Sequence, residues 1–156
     1  MNRDQQATEF LAWLKGQIPI INHMGFTPLE WDGSKLRMGA QLEPNVNDKG
    51  TGFGGSLATV ATLCGWSIVT LHLRDLGRDD DVVIKESHLE YFRPITSDFT
   101  AETTLPAADD LEMFDARMSE KGRARMALVI EINQGNETAL RLTGTYVAME
   151  KRTPVS

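Results

Sequence analysis

Hydrophobic and polar residues alternate along this chain with two periods, and each change of period marks an element. In DQQATEFLAWLK, Ala7, Phe10, Leu11 and Leu14 fall at i, i+3, i+4 and i+7, which predicts a helix over residues 4–15. The period then drops to two. Leu36, Met38, Ala40 and Leu42 alternate with Lys35, Arg37, Gly39 and Gln41, as a strand with one buried face requires. That strand, 35–42, and an earlier one at 24–31 are joined by DGS, a hairpin signal. From about Gly54 to Arg74 the helical period returns. Leu57, Val60, Ala61, Cys64, Ile68 and Leu71 share one stripe, and Ala58, Ala61 and Gly65 let a second backbone come close. Further strands are expected at 82–93 and 98–105. RARMALVIEIN and TALRLTGTYVAME flank QGNE as a hairpin. Residues 106–121 are polar, acidic and weakly periodic, and read as a loop with room for a helical turn.

Strands outnumber helices, and most connections are too short for parallel crossovers. The expectation is a single α+β domain over 1–156: one antiparallel sheet of about six strands curled around one long apolar helix, with a further helix at the N-terminus. An open sheet of that size has edges that need cover. Pairing two such sheets in a homodimer, or in a dimer of dimers, hides one edge of each.

Composition adds limits. The 156 residues are 41% hydrophobic and 24% charged, ordinary for a globular domain, and the net charge of −6 argues against bulk nucleic-acid binding. A single cysteine, Cys64, allows no internal disulfide and fits a reducing cytoplasm, and no Cys/His cluster has zinc-site spacing. The polar start MNRDQQATEF lacks the apolar core of a signal peptide. Gly50 to Leu73 carries no formally charged side chain and is long enough to span a bilayer. Its five glycines, four threonines, two serines and His72, however, suit a helix buried inside a protein better than a membrane span.

The chemistry centres on NVNDKGTGFGGSLATVATLCGW, Asn45 to Trp66, where four glycines fall within six residues just ahead of the long helix. Gly50-Thr-Gly-Phe-Gly54-Gly55 matches G-x-G-x-x-G, and Asp75 lies about 20 residues further on. Yet the alternating βαβ units of a dinucleotide fold are missing, and no GK[ST] completes a P-loop. What survives is a helix start with unpaired N–H groups and glycines that let a ligand approach the backbone. Such a site suits a negative oxygen that develops during a reaction. A tight turn that only packs is the plainer alternative.

At these residues the chain resembles the hotdog fold, in which an antiparallel sheet wraps a central helix. NVNDKGTGFGGSLATVATL is similar to the N-x-x-G-x-x-(H/F)-G-G pattern of acyl-CoA thioesterases, and SHLEYFRPITSDFTAET resembles the strand pair that follows the central helix. L-x-P-N-x-N, F-G-G-S, T-L-x-G-W and Y-x-x-P-(V/I)-T-S/G-D, in that order over residues 5–150, resemble the subgroup named "putative thioesterase". That subgroup also occurs as the C-terminal domain of acetyltransferase-fused proteins, and is associated with malonyl-acyl-carrier-protein decarboxylase activity. The present chain is too short to carry the acetyltransferase domain as well. The resemblance implies an acyl thioester of CoA or acyl carrier protein as substrate, with no cofactor beyond the pantetheine that the substrate brings. Neither a nucleic acid nor a membrane is expected as a partner.

Two departures matter. Thioesterases of the H-G-G type place histidine where this chain has Phe53, and a carboxylate where it has Thr62. That carboxylate activates the hydrolytic water, which threonine cannot do at neutral pH. Losing CO2 from a malonyl thioester needs no such base, only stabilisation of the enolate oxygen. The side-chain amide of Asn47 and the Gly55 backbone N–H are the candidate stabilisers, with Phe53 supplying an apolar surround. Gly54, Thr62, His88 and Asp48 are candidate substrate contacts, and Asp48, His88 or a residue from the partner subunit would be the base if the reaction is hydrolysis. Asn45 is read as a turn residue, and Cys64 and Trp66 as core. His23 and His72 have no partner visible in sequence. Arg74 with Arg78, or Lys121 with Arg123 and Arg125, are candidate docking patches for an acidic carrier protein. Ordinary solvated charges are the simpler reading of both.

Overall fold

The computed structural model describes residues 1–152. Helix α1 spans Arg3–Gln17 and opens with a reciprocal cap: the Asn2 side chain accepts from the Gln5 N–H, and the Gln5 side chain accepts from the Asn2 N–H. Ala7, Phe10, Leu11 and Leu14 are its buried face, as the spacing predicts. After a 3-10 turn at Pro19–His23 come β1 (Glu30–Trp31) and β2 (Lys35–Ala40). Helix α2 is Gly54–Asp75, followed by β3 (Asp81–Tyr91) and β4 (Phe99–Thr104). Helix α3 (Ala108–Lys121) precedes the hairpin of β5 (Arg123–Gln134) and β6 (Glu137–Met149).

The six strands form one antiparallel sheet in the order β1-β2-β4-β5-β6-β3. It curls around α2, which contacts five of its strands. This is the hotdog fold. Helix α2 is apolar and long enough to cross a bilayer, but 72% of its most apolar window is buried inside the domain. Cys64, on that helix, is fully buried, with its sulfur near the Leu36 and Ala101 carbonyls, and burial pushes its thiol pKa up. Trp66 is only half-buried. Its indole N–H donates to the Val82 carbonyl at 2.6 Å, and its ring stacks on Trp13 with centroids 5.9 Å apart.

Two expectations fail. The strand anticipated at 24–31 shrinks to Glu30–Trp31 plus an isolated bridge between Phe26 and Ala40. Gly25 sits at φ +65°, outside strand geometry, and Pro28 has no N–H to give a ladder. The loop anticipated at 106–121 is instead mostly α3. Its apolar stripe is narrow but regular, with Leu111, Phe114 and Met118 at i, i+3 and i+7, the first half-buried and the other two buried, set among five acidic residues that make the segment resemble a polar loop. Asp109 and Asp110 in its first turn complement the helix dipole, and Gly122 at φ +66° ends it. His72, near the end of α2, finds its partner on this helix, with Nε2 2.7 Å from an Asp115 carboxylate oxygen.

The closest approach of helix and sheet is at Gly65. A β-carbon there would lie 2.2 Å from the Tyr146 hydroxyl oxygen, and that hydroxyl donates to the Thr62 carbonyl at 2.8 Å. Tyr146 is fully buried on β6, so it has little room to retreat. Gly65→Ala should therefore destabilise the fold by about 2 kcal/mol through overpacking, despite alanine's better helix propensity. Urea-denaturation midpoints measure this, and an unchanged midpoint would mean that the contact is not rigid.

Candidate active site at the start of helix α2

The glycine-rich segment leads into α2 through a small hairpin. Asn45 ends a 3-10 turn, Glu43–Asn45, and Val46 bridges Gly52 across the hairpin. At the tip the Asn47 side-chain oxygen accepts from the Lys49 N–H (2.8 Å) and the Thr51 N–H (3.1 Å), while its amide donates to the Thr51 hydroxyl (2.9 Å). One amide hydrogen of Asn47 is left over. Asp48 beside it is largely exposed and pairs with Lys49 at 3.3 Å.

Asn45 was read as a turn residue, and its burial is the unexpected part. It is 2% exposed, and its amide donates to the Met24 and Gln41 carbonyls, both at 2.7 Å. Its backbone carbonyl accepts from the Phe53 N–H at 2.7 Å, and its side-chain oxygen is buried without a partner. Both amide hydrogens are spent, so Asn45 has no donor left for a ligand, whereas Asn47 has one.

At the helix start no side chain caps α2. Phe53 is the N-cap residue, so the Gly54, Gly55 and Ser56 N–H groups precede the first intrahelical bond, which runs from the Leu57 N–H to the Phe53 carbonyl. The Phe53 ring folds back over Gly55, where a β-carbon would meet its Cε2 at 2.6 Å. The Tyr91 hydroxyl donates to the Gly54 carbonyl at 3.2 Å. Val46, Phe53 and Tyr91 are 46%, 54% and 53% exposed, an apolar collar around a group of free donors.

The least buried stripe of α2 runs from the exposed Gly55 through the half-buried Thr59 and Thr62 to Trp66, which packs against the core. Thr59 bonds back to the Gly55 carbonyl. The Thr62 hydroxyl makes no hydrogen bond among the described residues, so this position points a free hydroxyl, not a carboxylate, along the stripe. Gly54, Gly55, Phe53 and Thr62 thus share one surface, with Asn47 and Asp48 on the hairpin that leads into it. His88 does not join them. Tyr91 reaches α2, so by alternation His88, three residues earlier, points to the opposite, convex face, where it sits with Thr143 and Thr145.

The segment YFRPITSD holds this turn from outside, a role the sequence quoted but did not reveal. Tyr91 bonds Gly54, the Ile95 carbonyl accepts from the Gly52 N–H at 2.8 Å, and the Asp98 carboxylate accepts from the Leu42 N–H at 2.8 Å. These three contacts and Asn45 fix the chain on both sides of the hairpin.

A family profile described as "Putative thioesterase (yiiD_Cterm)" matches residues 7–150. The chain belongs to this family. Its members' architecture recurs in solved structures. A protein of unknown function from Chlorobaculum tepidum TLS is 28% identical, with 96% of this chain and 97% of that one covered and a TM-score of 0.88. A structure from Shewanella oneidensis, named as a "putative thioesterase", is 26% identical over 94% of this chain and 98% of that one, with a TM-score of 0.81. A "probable thioesterase" of unknown function from Pseudomonas aeruginosa, 21% identical over 92% and 95% with a TM-score of 0.77, shares the fold. The family and the site together make this a thioester-acting hotdog enzyme.

The two asparagines separate by stability. Asn45→Ala strands the buried Met24 carbonyl and removes a part-buried bond to Gln41, and should cost about 2–3 kcal/mol. Asn47→Ala, at a half-exposed tip, should cost no more than about 1 kcal/mol. Equal shifts in the thermal midpoint would contradict the division of roles drawn here.

Proposed function

We propose that the chain turns over an acyl thioester of CoA or an acyl carrier protein, with the thioester carbonyl seated against the start of α2. The observation that carries this reading is the uncapped Gly54-Gly55 helix start inside an apolar collar. The Gly55 N–H and the spare hydrogen of the Asn47 amide are donors for an oxygen that gains charge in the transition state. Phe53, Tyr91 and Val46, each about half exposed in the protomer, exclude water once the acyl chain and the partner subunit cover them, which strengthens those bonds.

Hydrolysis is the reading that the family and its named relatives support. Between Lys49 and Arg74 the chain has no aspartate or glutamate, so the base must come from elsewhere. Asp48 is the carboxylate on the hairpin beside the site and takes that role, drawing a proton from water as it attacks the carbonyl. The thioester C–S bond then breaks, and the proton passes to the leaving thiolate.

A second reading rests on the α2 stripe itself, where Thr62 offers no base. A malonyl thioester bound there loses CO2 as its carboxylate C–C bond breaks. The electron pair enters the enolate held by Gly55 and Asn47, and water then protonates the carbon to give the acetyl thioester.

The working unit is a homodimer in this reading. Strand β3 is eleven residues long and lies at the sheet edge, with Val83, Ile84 and Tyr91 exposed. Pairing it with a second β3 removes that edge and closes the collar against the partner. Such pairing leaves His88 on the convex face, away from both helix starts.

Mass spectrometry of acyl-CoA, malonyl-CoA and the matching carrier-protein thioesters after incubation with the protein tests the proposal. Free pantetheine thiol marks hydrolysis, and the acetyl thioester with its C–S bond intact marks decarboxylation. No change in any substrate leaves a non-catalytic acyl-binding module and refutes an enzyme. Asp48→Asn should lower hydrolysis roughly a hundredfold or more while leaving decarboxylation untouched. Sedimentation at the protomer mass would contradict the paired β3 edge.

A further inference from the structure

We infer that the corner between the end of α3 and the start of β5 is a docking surface for an acidic carrier protein, an inference that rests on the thioester reading above and selects between its two substrate carriers. Four cations, Arg117, Lys121, Arg123 and Arg125, fall within nine residues there, and all four are exposed. Elsewhere in this chain of net charge −6, Arg3, Arg37, Arg78, Arg93 and Arg141 each sit against a carboxylate. The corner cations have no carboxylate within 4.0 Å among the described residues. A local cluster of unpaired cations on an acidic protein is an attractive field for a negatively charged surface.

The geometry is more specific than charge alone. Arg117 from α3 and Arg125 from β5 line one groove of about 280 Å³, with Met113 and Phe114 between them and Asp110 at its acidic end. Met113 is 56% exposed, an adaptable apolar contact in the groove that Arg117 and Arg125 line, with Asp109, Asp110 and Glu112 on the N-terminal side of the same helix. Of the two patches suggested by the sequence, the other is already occupied. Arg78 is held by Asp80 and Glu150, and Arg74 lies over the Trp13 ring at 4.1 Å.

The position also fits delivery. Arg123 pairs with Met149, and Met149 with Asp81, so the corner lies at the Asp81 end of β3. Tyr91, beside the helix start, is at the other end of that strand. In a dimer paired antiparallel through β3, the Asp81 end of one protomer meets the Tyr91 end of its partner. The corner then stands three strand spacings, about 14 Å, across the sheet from the partner strand that flanks a helix start. A carrier docked at the corner of one protomer sends its flexible pantetheine arm round the end of the sheet into the site of the other.

The test titrates a fluorescently labelled, pantetheine-bearing acyl carrier protein against the full-length protein and against its double variant Arg117→Glu/Arg125→Glu, while acyl-CoA turnover is followed in parallel. The expected result is a Kd for the carrier raised at least about tenfold in the variant, with wild-type binding weakened by added salt and acyl-CoA turnover unchanged. Equal carrier binding by both proteins, or no binding by the wild type, overturns the docking surface even if acyl-CoA is consumed. A parallel loss of acyl-CoA turnover also overturns it, because the corner would then serve the phosphates of CoA. Carrier binding that depends on the corner, with no thioester consumed, supports the surface and refutes the enzymatic reading instead.

Discussion

The contact between Gly65 and Tyr146 sets the position of everything else. A helix buried along most of its length satisfies its own backbone, so it offers the sheet no hydrogen-bonding register to lock onto. Its rotation and height must be fixed by shape and by a few polar pins. The Tyr146 hydroxyl, bonded to the Thr62 carbonyl across a missing β-carbon, is such a pin. Once α2 is held there, Leu57, Val60, Ala61, Cys64 and Ile68 are committed to the core. The stripe from Gly55 through Thr59 to Thr62 is left as the least buried face by default. A packing contact in the middle of the helix thereby decides which face is available for chemistry ten residues away.

The helix start is held by a different set of forces. Its free N–H groups cannot be buried without partners, and the structure leaves them uncapped inside an apolar collar. The hairpin before it is fastened mainly by groups remote in sequence: the Met24 carbonyl on Asn45, Asp98 on Leu42 and Ile95 on Gly52, with the nearby Gln41 carbonyl also on Asn45. Backbone donors positioned in this way are rigid, since no side-chain rotamer has to be frozen when a ligand arrives.

Much of this was legible in the sequence, and the reasons are uneven. Strand β5 was readable because one of its faces is buried throughout, so its alternation is strict, and β6, buried on both faces at Ala139–Leu140 and Tyr146–Ala148, followed as its partner across the turn. Helix α2 was readable because it is apolar and opens with glycines. Helix α3 was masked although Leu111, Phe114 and Met118 keep helical spacing, because Asp109, Asp110, Glu112, Asp115 and Glu120 give the segment the composition of a loop. The face of His88 was also unreadable. Strand β3 is exposed on most positions and carries a bulge between Ile84 and Glu86, so neither alternation nor register gives the direction of a side chain. Asn45 and Asn47 lie two residues apart with the same chemistry. Only the distant Met24 carbonyl shows which of them is locked in the interior.

The strand order has a consequence for how the chain is made. Strand β3 is complete by Tyr91, yet its neighbour in the sheet is β6, which ends at Met149. Until β6 has been synthesised, then, β3 has no sheet partner in the domain, and Tyr146 is not there to cover Gly65. Closure depends on long-range pairing by the final segment, the kind of topology that folds slowly and late. A chain shortened by its last twelve or so described residues would lose more than an edge strand. It would leave β3 unpaired on both sides and the most apolar helix in the protein open to whatever it meets first.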